Sequence, residues 1–187
     1  MEDLAQKIAQ GDQSAFAALY ERYKNKVYNT VLSYLQNRNE AEEIAQDVFV
    51  EIHHSIHKFR GESSLNTWIY RIAVTKSLDF IKYKNRKKRF AFLTSIFEKD
   101  STSLVVNPPE FVHPGVLLEN QEKSAILFKA IHSLPDNQKT AFILARVEGL
   151  SHKEISEIMQ VSVGSVESLL HRSRENLKKQ LENFYKQ

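Results

Sequence analysis

The chain has 187 residues, 42% of them hydrophobic, with five glycines, four prolines and no cysteine. That length supports one large or two small cores, and the missing cysteines exclude a disulfide framework, a thiol nucleophile and a cysteine-based zinc site. The net charge of +3 is uneven: residues 1–89 hold 15 basic and 11 acidic groups, 90–120 hold 1 and 4, and 121–187 hold 10 and 8. Two basic halves around an acidic spacer suit a polyanionic partner. No apolar run approaches the ~20 residues of a membrane-spanning helix. The opening MEDLAQKIAQGD lacks the apolar core of a secretory leader, so a cytoplasmic, not membrane-embedded, chain is expected.

Asp12 is placed to cap a first long helix, whose inner face runs Phe16, Leu19, Tyr20, Tyr23, Val27, Val31, Tyr34 and Leu35. Asn39 with Glu42 reads as an asparagine version of the capping box for a second helix. Its stripe is Ala41, Ile44, Ala45, Val48, Ile52, Ile56 and Phe59, a clean helical period. After the loop Arg60-Gly61-Glu62-Ser63, Ser64 is expected to cap a third helix with Leu65, Trp68, Ile69 and Ile72 inward. Such stripes close into one small bundle. Trp68 suits a strand-separating wedge and a core position equally. His53 and His57 lie one turn apart, but no HExxH pattern accompanies them, and neither a metal nor another cofactor is expected.

The third helix runs into Lys82–Arg89, with six basic residues in eight and no acid. Such density repels itself without counter-charge, which favours phosphate contact over a merely solvated helix end. Residues 90–119 read as a flexible linker, broken by Asn107-Pro108-Pro109 and His113-Pro114-Gly115. Its first part, Phe90–Phe97, is too apolar for a solvated linker and calls for a short helix against a partner surface. About 30 extended residues span on the order of 100 Å. Two DNA sites about 16 base pairs apart lie near 55 Å at ~3.4 Å per step, so the two halves need not touch.

Helicity resumes near Leu118 with Ala125, Ile126, Phe128, Ile131 and Leu134. Pro135 opens a further helix carrying Ala141, Phe142, Leu144 and Ala145, which stops near Gly149. Ser151 and Glu154 form a capping box for a short helix with Ile155, Ile158 and Met159 inward. Gln160-Val161-Ser162 makes a turn, and Ser162 caps a last helix burying Val166, Leu169, Leu170, Leu177 and Leu181. Its other face carries Ser165, Glu167, Ser168, His171, Arg172 and Lys178, which suits a helix-turn-helix entering a major groove. The plainer reading is a charged helical hairpin. The fold expected is all-α, with two small helical domains, 1–89 and 120–187, joined by the linker. No GxGxxG, P-loop or GxSxG pattern occurs, and an enzyme is not expected.

Three ordered blocks carry a resemblance: GDQSAFAALYERY; NEAEEIAQDVFVEIHHSIHKFRGESSLNTWIYRIAVTKSLDFIK; and LPDNQKTAFILARVEGLSHKEISEIMQVSVGSVESLLHRSRENL. Across residues 5–89 and 120–182 the chain resembles extracytoplasmic-function sigma factors of bacterial RNA polymerase, in the sigma-70 family. The resemblance implies a promoter-recognition subunit whose first domain is region 2 and whose second is region 4. It implies that Gln46, Asp47, Val50, Glu51 and His54 dock on the clamp helices of the polymerase's largest subunit, with the flap of the second-largest subunit a further contact. For the single-stranded minus-ten element it implies a pocket of Arg60, Gly61, Glu62, Ser63, Ser64, Thr75 and Asp79. Lys76, Lys82, Arg86, Lys87, Lys88 and Arg89 would hold the adjoining phosphates. Thr75 stands where many members have Asn.

For the duplex minus-thirty-five element the resemblance implies Lys153, Ser165, Glu167, Ser168, His171, Arg172 and Arg174. Glu167 and Leu169 stand where the family usually has Lys or Arg, and Gln160 where a turn glycine is usual. A Gln160 with positive φ costs about 1 kcal/mol. An anti-sigma factor is a further implied partner. The alternative is a free-standing helix-turn-helix regulator, which would bind a palindrome without polymerase.

Overall fold

The computed structural model describes the backbone of residues 2–97 and 121–185, and side chains within 4–87 and 125–182. Among the described residues every element is helical: α1 (Glu2–Ala9), α2 (Gln13–Leu35), α3 (Arg38–Ser55), a 3-10 turn (Ile56–Lys58), α4 (Leu65–Phe97), α5 (Gln121–His132), α6 (Asp136–Arg146), α7 (His152–Met159) and α8 (Val163–Tyr185). The architecture is all-α.

Asp12 caps α2 as expected, accepting from the Ser14 and Ala15 amides at 2.8 and 3.1 Å. Its bond from the Ser14 hydroxyl, then those amides, hold its carboxyl below the usual carboxylate range. The start of α3 differs from expectation. Asn37, not Asn39, is the N-cap, and its Oδ1 accepts from the Glu40 amide at 3.0 Å. The reason lies one residue earlier. Gln36 ends α2 at φ 51, in the left-handed region, so Asn37 is the first extended residue able to cap. α1 was not foreseen; it buries Ala5 and Ile8 against the N-terminal core.

Ser64 accepts from the Thr67 amide at 3.0 Å and starts α4. That helix is 33 residues long, so Phe90–Phe97, expected as the beginning of the linker, is helical backbone continuous with α4. Asn107-Pro108-Pro109 and His113-Pro114-Gly115 lie outside the described residues.

One core gathers Leu19, Val27, Val31, Ile44, Val48, Ile52, Leu65 and Ile69 from α2, α3 and α4. Tyr20 departs from the predicted stripe: it is 41% exposed, with its ring against Phe49. The second core gathers Ile131, Ile143, Leu144, Ile155, Ile158, Val166, Leu170 and Leu177. Tyr34, Tyr70 and Val74, from α2 and α4, belong to this second core. The two halves therefore pack together, although the spacer length does not require it. Periodicity tells which side chains are buried, not what they are buried against.

In the C-terminal half, Ser151 and Glu154 form the full capping box of α7, and Ser162 accepts from the Ser165 amide at 3.1 Å to start α8. Gln160 closes α7 at φ 56 with an exposed side chain. Gln160→Gly should therefore raise stability by about 1 kcal/mol, because glycine enters the left-handed region without a Cβ penalty. Gln36→Gly should gain less, since the Gln36 Nε2 bond to the Leu32 carbonyl, at 3.1 Å, would be lost. Urea unfolding with unchanged m values checks both.

Candidate nucleic-acid and polymerase interfaces

Gly61, at φ 73, turns the loop that leads into α4. Arg60 and Glu62 in that loop are exposed and 4.0 Å apart; such a pair is worth little, so both are free to meet a ligand at small cost. Ser63 and Ser64 sit beside them, and Ser64 is committed to capping. Thr75 and Asp79 lie one turn apart on an exposed face of α4. Asp79 is 3.7 Å from Lys82, and the two join Asn85 and Arg86 around an open recess. Asn85 is absent from the sequence-derived set, although its register with Asp79 and Lys82 places it on the same face.

Two residues expected on separate surfaces are partners: Lys76 Nζ lies 3.0 Å from a Glu51 carboxylate oxygen. Lys84 likewise pairs with Glu40. Lys82, Arg86 and Lys87 are exposed, and the Lys88 and Arg89 side chains lie outside the described residues. On α3, Gln46, Asp47, Val50 and His54 share one exposed face, with Val50 54% exposed. His53 packs edge-on against Phe16, with ring centroids 5.0 Å apart. Among the described residues no group of three or more His, Asp or Glu is arranged to hold a metal. Trp68 is half-buried and packs on Phe59, 5.6 Å between centroids, at the edge of the core.

On α8, Ser165, Ser168 and Arg172 follow one another at spacings of three and four along an exposed face. At 1.5 Å per residue they span about 10 Å, close to three base-pair steps. The Ser165 hydroxyl bonds that of Ser162 at 2.8 Å, and the Ser168 hydroxyl donates to the Gly164 carbonyl at 3.0 Å. The Glu167 carboxylate lies 3.6 Å from Nδ1 of His152, the first residue of α7. His152 has no period or motif to mark it, and only the packing of α7 against α8 puts it there. Lys153, His171 and Arg174 are exposed.

Residues 19–87 match the Sigma-70 region 2 model and residues 124–177 the Sigma-70, region 4 model. The chain is 34% identical to the ECF RNA polymerase sigma-E factor of Haemophilus influenzae over 181 residues, covering 96% of this chain and 94% of that one. It is 35% identical to the ECF RNA polymerase sigma factor SigW of Bacillus subtilis over 182 residues, covering 95% of each. Its fold is similar to that of CnrH, solved with the cytosolic domain of CnrY, at TM-score 0.67, 19% identity and 96% coverage of both chains. It is also similar to sigma factor RpoE of Bartonella quintana, solved with the anti-sigma factor NepR, at TM-score 0.60 and 21% identity, covering 89% of this chain and 96% of that one. With both regions present in order, and more than 30% identity along nearly its whole length, the chain belongs to the extracytoplasmic-function sigma factors of the sigma-70 family.

Proposed function

We propose that this chain binds the RNA polymerase core and directs promoter recognition and strand opening, as a cytoplasmic initiation factor and not as an enzyme. The observation that carries the reading is the pair of matched regions, 19–87 and 124–177, each with an exposed polar face of the kind its task needs. Residues 1–89 serve as region 2 and 120–187 as region 4, with 90–119 between them in function even where the backbone is helical.

The exposed α3 face of Gln46, Asp47, Val50 and His54 meets the polymerase, with Glu51 sharing its charge with Lys76. The loop Arg60–Ser64 and the α4 face of Thr75 and Asp79 take a base displaced from the duplex. Unstacking that base costs a few kcal/mol, offset by pocket contacts and by phosphates held at Lys82, Arg86, Lys87, Lys88 and Arg89. The α8 face reads duplex through Ser165, Ser168, His171 and Arg172, with Lys153 and Arg174 on the backbone. An anti-sigma factor is a natural further partner, since the solved relatives CnrH and RpoE are each bound to a protein of that kind or to a cytosolic domain.

Run-off transcription on genomic DNA tests the reading: core polymerase with this chain should start at sites that core alone does not use. Absence of any added initiation rejects it. Tight binding of the chain alone to a palindrome would favour the free-standing regulator instead. Glu167 places a negative charge toward the duplex, 61% exposed. Glu167→Lys should therefore steepen the log–log salt dependence of upstream duplex binding by about 1, read from gel shifts at several salt concentrations.

A further inference from the structure

Tyr83 stands in the middle of the cationic face of α4 and has no task in the reading above. Its neighbours one turn back are Asp79 and Phe80, and one turn ahead Arg86 and Lys87. Asp79, Arg86 and Lys87 are exposed with it, while Phe80 packs against the N-terminal core. At 56% exposure Tyr83 is the most open of the large apolar side chains among the described residues. Its ring is also bare. The other exposed tyrosine among them, Tyr20, lies against Phe49. The remaining ring contacts pair Phe16 with His53, His53 with His54 and Phe59 with Trp68. The cations found over a ring, Arg22 and Lys26, both sit on Tyr23. Arg86 and Lys87, one turn away, leave the face of the Tyr83 ring open.

An open aromatic face flanked by cations suits single-stranded nucleic acid. The cations hold phosphates, and the ring takes a base by stacking, whatever its identity, since every base has a π-face. Duplex offers no such partner, because its bases are stacked on one another and present only groove edges and phosphates. Tyr83 lies four residues beyond Asp79, about 6 Å along α4. That is the length of roughly two stacked nucleotides at ~3.4 Å each.

We propose that Tyr83 is a stacking platform for a second unpaired base of the opened promoter strand, about two nucleotides from the base held at Thr75 and Asp79. The inference rests on the promoter reading above, and adds to it a residue that grips the strand through a ring and not through charge. Stacking is tolerant of base identity. Tyr83 therefore stabilises the open strand without narrowing the sequence at that step, and base choice stays with the pocket.

The test uses polymerase core with the full-length chain, and a single strand taken across the melted segment of a start site found in the run-off assay. Tyr83→Ala should weaken binding of that strand at least about fivefold. Tyr83→Phe, which keeps the ring and loses the hydroxyl, should stay within about twofold of the unsubstituted chain. Salt dependence separates stacking from charge. Tyr83→Ala should leave the log–log slope unchanged, whereas Arg86→Gln should lower it by about 0.7. The fluorescent base 2-aminopurine, stepped along the strand, is quenched where it stacks, so Tyr83→Ala should brighten it at one position. Unchanged affinity in the Ala variant, an equal loss in the Phe and Ala variants, a lowered slope in the Ala variant, or brightening at no position would overturn the platform. A loss that appears as weaker assembly with core, with circular dichroism unchanged, would assign Tyr83 to a protein contact and overturn it too. Failure of the unsubstituted chain to add strand binding or initiation to core would remove the promoter reading, and the platform with it.

Discussion

Replacing Lys82, Arg86, Lys87, Lys88 and Arg89 together with glutamate should lower promoter opening at least about 100-fold, while upstream duplex binding changes less than about threefold. The asymmetry follows from counterion release. Each phosphate contact on a single strand adds about 0.7 to the salt slope, so five lost contacts remove roughly three orders of magnitude at 0.15 M salt, before any repulsion is added. The upstream element is assigned under the proposed function to α8, which none of these residues belongs to. Lys84 is left in place because its ammonium is engaged with Glu40, and its loss would disturb the packing of α3 on α4. Permanganate reactivity of the melted strand and a gel shift on the upstream half-site measure the two effects. Equal losses in both assays would show that the block is a general cationic surface with no part in strand capture.

The second large effect is a pH dependence of stability set by His132. Burial lowers its pKa from the ordinary 6.5 to about 4, helped by the Lys139 charge and opposed by its bond to the Ser33 backbone. The folded state thus refuses a proton that the unfolded chain accepts. Its stability contribution is complete above pH 6.5 and is lost as pH falls from 6.5 towards 4. At about 1.4 kcal/mol per unit, the loss approaches 3 kcal/mol at pH 4. Glu148 acts with the opposite sign. Its raised carboxyl pKa means the folded state gains stability as pH falls through that pKa towards 4.5. Denaturant melts should therefore show the stability of the unsubstituted chain relative to His132→Phe falling by about 3 kcal/mol from pH 7 to pH 4. Adding Glu148→Gln to each removes the opposing contribution. A difference that does not vary with pH would mean that His132 titrates as it does in the unfolded chain.

Both effects depend on residues whose roles are unequally visible. Lys82–Arg89 stands out because its density is a property of adjacent letters. His132 carries no such mark; an isolated histidine after an apolar stripe reads as an ordinary helix end. Its consequence comes first from burial, then from the Lys139 charge, and is opposed by a bond to Ser33, 99 positions away along the chain. The pairing of Lys76 with Glu51 is hidden in the same way. The sequence places them on separate surfaces, and only the crossing of α3 and α4 brings ammonium to carboxylate.

The junction of α2 and α3 is an intermediate case. Asn37 and Asn39 are both competent caps by residue type, and Asn39 with Glu42 offers the fuller motif. The left-handed turn at Gln36 decides for Asn37, since the cap must follow the reversal immediately. Gln36 holds that turn with its own side-chain bond to Leu32, a local bond that residue type alone does not announce.

What the letters alone determined was therefore what short-range physics controls. Helix starts at Asp12, Ser64, Ser151 and Ser162 depend on a side chain meeting an amide two or three residues on. The buried stripes depend on a 3.6-residue period. The ordered blocks that mark the family are linear too. Tertiary structure alone decided which stripe meets which: Tyr34 reads as core of the first half, yet it is buried against the second, together with Tyr70 and Val74, which the predicted stripes leave out. An apolar face carries no address. Desolvation drives it under cover, but the choice of cover depends on shape and on long-range polar bonds such as Tyr70 to Glu148, which no window of neighbouring residues contains.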